Sequence, residues 1–155
     1  MLKLLAFTVF LFAVFASCKQ INVYEKTVPF AKHSWEASQQ PAFDFIIADT
    51  TARYNVFVVL RHTDAYHYNN MWMNLTIIPP GDTAQTVKAN LKLGDNKQWL
   101  GNSIDDIVEH RVLINTAPLH LKKGTYKFLI QQIMRENPLP DVLNAGVRVE
   151  KVDSN

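Results

Sequence analysis

From residue 43 onward apolar side chains recur at every second position, the spacing that sends alternate residues to opposite faces of a β-sheet. Phe43, Phe45 and Ile47 alternate with Asp44 and Ile46, and Met71, Met73, Leu75 and Ile77 alternate with Trp72, Asn74 and Thr76. Val87, Ala89, Leu91 and Leu93 against Lys88, Asn90 and Lys92 make the cleanest stripe, predicting a strand with one dry and one wet face. Residues 55–60 are almost continuously apolar, as a central strand covered on both faces requires. Pro79-Pro80-Gly81-Asp82 predicts a turn, because two prolines remove donors and glycine permits the bend, and Gly94-Asp95-Asn96 ends the next strand. After Gly124, Tyr126, Phe128 and Ile130 alternate with Thr125, Lys127 and Leu129, and a last strand runs through Val147 and Val149 beyond Gly146. Only 103–110 has the spacing of a helical turn. Seven or eight short strands without a long 3.6-period segment predict an all-β, single-domain fold, an antiparallel β-sandwich of jelly-roll-like character.

The first residues follow another pattern. A short positive start ending at Lys3 precedes an apolar run over residues 4–14, interrupted only by Thr8. The run is too short for the roughly 20 apolar residues that cross a bilayer, and it reads as the core of a signal peptide. Phe15-Ala16-Ser17-Cys18 closes it, with small residues before a cysteine in the manner of the bacterial lipobox. The expected organisation is a lipoprotein signal peptide at 1–17, a lipidated tether and first edge strand at 18–41, and the sandwich at 42–155. A diacylglycerol on the Cys18 sulfur and an acyl chain on its amino group would anchor the protein firmly, since each buried CH₂ contributes about 0.8 kcal/mol. Lys19 and Gln20 follow, without the Asp that holds lipoproteins at the inner membrane. The expectation is an outer-membrane anchor facing the periplasm.

Composition narrows the function. The 155 residues carry a formal net charge of +2 with basic and acidic residues interspersed, so no bulk field draws nucleic acid. One cysteine permits neither an intramolecular disulfide nor a CxxC site. His33, His62, His67, His110 and His120 show no metal-ligand spacing, and GxSxG and glycine-rich phosphate loops are missing. The adjacent Asp105 and Asp106 point to opposite faces in an extended chain, so they read as a solvated turn rather than an acid/base pair. No catalytic residue, metal or cofactor is expected beyond the covalent lipid.

Amphipathic residues near turns remain: Arg61, His62, Tyr66, Tyr68, Asn69, Asn70 and Trp72, then Gln131, Gln132, Met134, Arg135 and Glu136. Interfaces favour Tyr, Trp, Met and Arg, which makes Arg61, His62, Tyr66, Tyr68, Asn69, Trp72, Gln132, Arg135 and Glu136 candidate partner-binding residues. Core packing of the aromatics is the competing reading, and for Arg135 a pairing with Glu136, Asp141 or a nearby carbonyl.

Several segments occur in a familiar order: Tyr54-Asn55-Val56, Arg61-His62, Tyr66-His67-Tyr68-Asn69-Asn70, Trp99-Leu100-Gly101, Gly124-Thr125-Tyr126-Lys127-Phe128 and Gln132-Ile133-Met134-Arg135. With the lipobox ahead of them and a tail over 139–150 behind, they resemble the gliding motility lipoprotein GldH family of Bacteroidota. Two positions depart from that pattern: Phe15 stands for the usual Leu, and Ala145 for a bulkier aliphatic. The resemblance implies a non-enzymatic cell-envelope component required for gliding and linked to type IX secretion, with other motility or secretion proteins as partners. It carries no catalytic residues over. The alternative class is a glycan-binding lipoprotein module, in which Trp72 or Trp99 stacks on a sugar ring.

Overall fold

The computed structural model describes residues 22–95 and 97–152; the signal segment, Cys18 and Asn96 lie outside them. The chain runs through β1 (Asn22–Pro29), a 3₁₀ turn at Ala31–His33, β2 (Ser34–Trp35), β3 (Ala42–Ile47), β4 (Arg53–Thr63), β5 (Asn70–Ile78) and β6 (Gln85–Lys92). It continues through β7 (Asn102–Ile104), β8 (Ile107–Leu113), β9 (Leu119–His120), β10 (Gly124–Gln132), β11 (Leu139–Pro140) and β12 (Val142–Val152). One sheet has the order β1-β12-β4-β8-β7, with β9 also on β4; the other is β3-β10-β5-β6; β2 and β11 form a small ladder of their own. Every pairing is antiparallel. The architecture is the antiparallel β-sandwich that period-two alternation predicts.

The inward stripes meet between the sheets. Phe43, Phe45 and Ile47 of β3, Met71, Met73 and Leu75 of β5, and Tyr126, Phe128 and Ile130 of β10 face Val56, Val58 and Leu60 of β4 and Ala145, Val147 and Val149 of β12. The predicted central strand is central: β4 lies between β12 and β8, and its consecutive Val58, Val59 and Leu60 are all buried.

The structure corrects three expectations. Residues 103–110 form no helical turn but a hairpin, with Ile104 paired to Ile107 across Asp105 and Asp106. Asp105 takes a left-handed φ of 53°, which aspartate tolerates better than most residues. The stripe on β6 is buried only at Leu91 and Leu93, whereas Val87 is 58% exposed on this edge strand. The last strand begins at Val142 rather than beyond Gly146, and Gly146 sits inside it opposite Thr27. A Cβ at Gly146 would lie 2.1 Å from the Lys26 carbonyl oxygen, so the close approach of β1 requires glycine there.

Candidate functional site

Two loops build a cleft at the end of the sandwich where β4 finishes. Tyr66 N–H donates to the Thr63 carbonyl (3.1 Å) and Tyr66 Oη–H to the Asn70 carbonyl (3.1 Å), which curls the β4–β5 connection. The Asn69 carbonyl accepts from both Leu93 and Gly94 N–H at 2.8 and 2.9 Å, tying that connection to the segment after β6. There Asp95 Oδ1 accepts from Lys97 and Gln98 N–H at 2.8 and 3.0 Å, and Gly94 bridges Trp99. These local bonds bring the Trp99 indole back beside Tyr66. The resulting cleft has a volume of about 580 Å³, with Tyr66, Tyr68 and Trp99 as its aromatic wall and exposed Asn69, Lys97 and Gln98 at its polar rim.

Behind the aromatic wall lies a buried histidine pair. His62 Nδ1 is 2.6 Å from the Thr63 carbonyl oxygen, which can only accept, so Nδ1 carries the proton and Nε2 of the neutral ring accepts. His110 Nε2–H then donates to His62 Nε2 across 2.9 Å. The rings stack at 5.0 Å, and Trp99 meets His62 edge-on at 4.5 Å. Burial lowers the pKa of both; for His110, burial and then the neighbouring His62 bring it to about 4. Burial also raises the Tyr66 phenol above its usual value. Both shifts favour neutral imidazoles at neutral pH, and the hydrogen bond itself requires that the accepting ring, His62, be neutral.

The candidate residues separate into groups. Tyr68 and Asn69 line the cleft, and Glu136 joins them through Tyr68, whose Oη–H donates to Glu136 Oε2 (3.1 Å). His62 and Gln132 are both 0% exposed, which removes them from direct reach of a partner, whereas Tyr66, 4% exposed, shows only the ring surface that lines the cleft. Gln132 is a strut: its Nε2 donates to the Trp35 carbonyl (3.2 Å) and its Oε1 accepts from Met134 N–H (2.8 Å). Arg61 points away from His62 and pairs with Glu109 on the outer face of the first sheet. Trp72 lies 38% exposed on the outer face of the second sheet, with Lys88 Nζ 5.2 Å above its ring. Arg135 is exposed and, among the described residues, forms no ion pair.

Sequence reading missed the loop 93–99, which contributes half the cleft, although Gly94-Asp95 marks its turn. It also missed a charge network on the outer face of the first sheet, where Arg148 bridges Glu25 and Glu150 and Arg111 bridges Glu25 and Glu109. Among the described residues no three His, Cys, Asp or Glu side chains converge as metal ligands, and no helix is long and apolar enough to cross a membrane.

Known proteins place this arrangement in a lineage. Residues 22–149, which span β1 to most of β12, match the profile of the family described as GldH lipoprotein. A gliding motility lipoprotein GldH homolog of Christiangramia forsetii is 28% identical, with 96% of this chain and 98% of that protein aligned. The gliding motility lipoprotein GldH of Flavobacterium johnsoniae is also 28% identical, over 88% of this chain and 89% of its own. With its two sheets and its loop-built cleft inside the matched span, the chain belongs to the GldH lipoprotein family.

Proposed function

We propose that this protein is a lipid-anchored, non-enzymatic component of the gliding apparatus, tied to the periplasmic face of the outer membrane through Cys18 and docking a motility or type IX secretion protein at the cleft. The observation that carries the reading is the polarity of the sandwich. Asn22 pairs with Glu150, which pairs with Asn55 near the start of β4, whereas the cleft lies beyond Thr63 at the other end of that strand. Eleven residues of β4 at about 3.4 Å each separate the two ends by roughly 35 Å. A chain tethered ahead of Asn22 thus offers its cleft outward from the membrane, and tethering raises the effective concentration of a partner confined to the same surface. The tyrosines and the histidine pair at the cleft are engaged in structural bonds, with Tyr68 on Glu136, Tyr66 on Asn70 and His62 on Thr63 and His110, which supports a binding role over catalysis.

The test is a set of substitutions that leave the fold alone, two on the cleft rim and one at Arg135 outside the cleft lining. Asn69→Arg, Gln98→Arg and Arg135→Ala alter exposed side chains, so the melting temperature should move by no more than a degree or two. In-cell cross-linking to the partner and colony spreading should fail for at least one of them. Unchanged motility and cross-linking in all three would refute docking at this end. A glycan-binding reading draws on the same aromatic wall; it gains if Trp99→Phe abolishes retention on a polysaccharide column while partner capture survives.

A further inference from the structure

At the opposite end of the sandwich a second cavity of about 210 Å³ opens between the sheets, walled by Phe45, Val56, Ile77, Ile114, Leu121 and Phe128. Only two of its lining side chains carry polar atoms, and the protein itself engages both. Asn115 Oδ1 accepts from Val56 N–H (2.7 Å) while its Nδ2 donates to Asn55 Oδ1 (3.0 Å) and the Ala117 carbonyl (2.9 Å). Tyr126 Oη accepts from Lys122 N–H (2.9 Å). A water molecule held in a cavity needs two to four polar partners, and an apolar cavity of about 150 Å³ lined by Leu, Ile and Phe stays dry and takes up benzene or xenon. This cavity is larger, and apart from the Tyr126 hydroxyl hydrogen its two polar side chains are bonded within the protein, so the apolar lining selects a hydrocarbon. At about 30 Å³ per small group, the share a water molecule has in the liquid, it holds roughly seven methylenes.

The position of the cavity identifies the hydrocarbon. Val56 is in register with Val149, and Val149 with Tyr24, so the wall of the cavity lies two strand spacings, about 10 Å, from β1. Tyr24 packs its ring 5.7 Å from Phe45, another wall residue. Cys18 precedes Tyr24 by six residues, a reach of up to about 20 Å. Leu119, 38% exposed, forms the lip.

We propose that the cavity receives one acyl chain of the protein's own lipid anchor, docking the tether against the sandwich while the remaining chains hold the membrane. The proposal rests on the reading that Cys18 is lipidated. Palmitate labelling tests that reading separately: loss of label on Cys18→Ala supports it, and retained label overturns both.

Every strand among the described residues lies within 22–152, so the lipid-free chain from residue 19 retains all of them. Its melting temperature should rise by several degrees with saturating 1-octanol, because a ligand bound only to the native state adds stability. Val56→Phe, which fills the cavity from inside, and Leu119→Lys, which charges its lip, should each abolish the rise. No rise, or the same rise in both variants, overturns the cavity as an alkyl site. In cells, p-benzoylphenylalanine placed at position 119 should, on irradiation, join its peptide to the amino-terminal lipopeptide, as read by mass spectrometry. Cross-links to free phospholipid instead, or to neither, overturn the anchor as occupant.

Discussion

The histidine pair makes stability at the cleft end depend on pH in a calculable way. Inside the fold His110 has its pKa lowered from 6.5 to about 4, so on acidification the unfolded chain takes up a proton before the native one does. The contribution is full above about pH 6.5, declines as the pH falls, and levels off near pH 4, where the folded imidazole finally protonates. At about 1.36 kcal/mol per pKa unit the whole loss is about 3 kcal/mol, and integrating only from about pH 7.5 to about pH 5 gives about 2 kcal/mol. His62, lowered in the same direction by burial, adds to this. For a domain of this size 1 kcal/mol shifts melting by roughly 4 °C, so the lipid-free chain should melt about 8 °C lower at the acidic end of that range. His110→Gln is the decisive comparison. Its amide can donate to His62 Nε2 but does not titrate, and the carboxylates are common to both proteins, so the difference between the two pH profiles isolates His110. Thermal melts in matched buffers measure it, with tryptophan fluorescence reporting Trp99 beside His62. Parallel profiles for the two proteins would refute the buried neutral pair.

Other consequences follow from single contacts. Gln132→Leu removes the partner of both the Trp35 carbonyl and the Met134 N–H, and with about 1 to 3 kcal/mol for each group left unpaired, chemical denaturation should show a loss of at least about 2 kcal/mol. Gly146→Ala puts a methyl group into the β1 backbone, and should either separate β1 from β12, seen as fast amide exchange over residues 22–29, or prevent folding altogether. Glu25→Gln should cost little, about 1 kcal/mol or less by denaturation in dilute buffer, because Arg148 keeps Glu150 and the network is partly exposed.

Period-two alternation made β3, β5 and β10 legible because each lies with one face on the core and the other toward solvent. It failed at 103–110 because Ile104, Ile107 and Val108 also fit helical spacing, and a two-residue loop is too short to interrupt either pattern. The site was legible in its aromatics but not in its depth. His62 and Gln132 look like surface residues because polar types usually are, and their partners are distant in sequence: His110 for one, the Trp35 carbonyl for the other. The wall contributed by Trp99 depends on hydrogen bonds that Leu93 and Gly94 N–H donate to the Asn69 carbonyl, a contact between loops that no local spacing encodes. Arg135 shows the opposite case, since the pairings expected with Glu136 and Asp141 are absent among the described residues: Glu136 takes the Tyr68 hydroxyl and Asp141 the Thr63 hydroxyl.

Opposed ends for tether and cleft also decide how the molecule carries mechanical load. A pull applied ahead of Asn22 and resisted at the cleft acts along the axes of β1, β12 and β4, and bonds in an antiparallel ladder run perpendicular to those axes. Traction therefore meets the whole β1–β12 seam in shear, from Asn22 and Glu150 to Pro29 and Asn144, instead of opening it one rung at a time. Arg148 fastens the same seam from the side, reaching from β12 to Glu25 on β1. Under the proposed anchoring, the strand nearest the tether is thus held in the geometry that resists extraction.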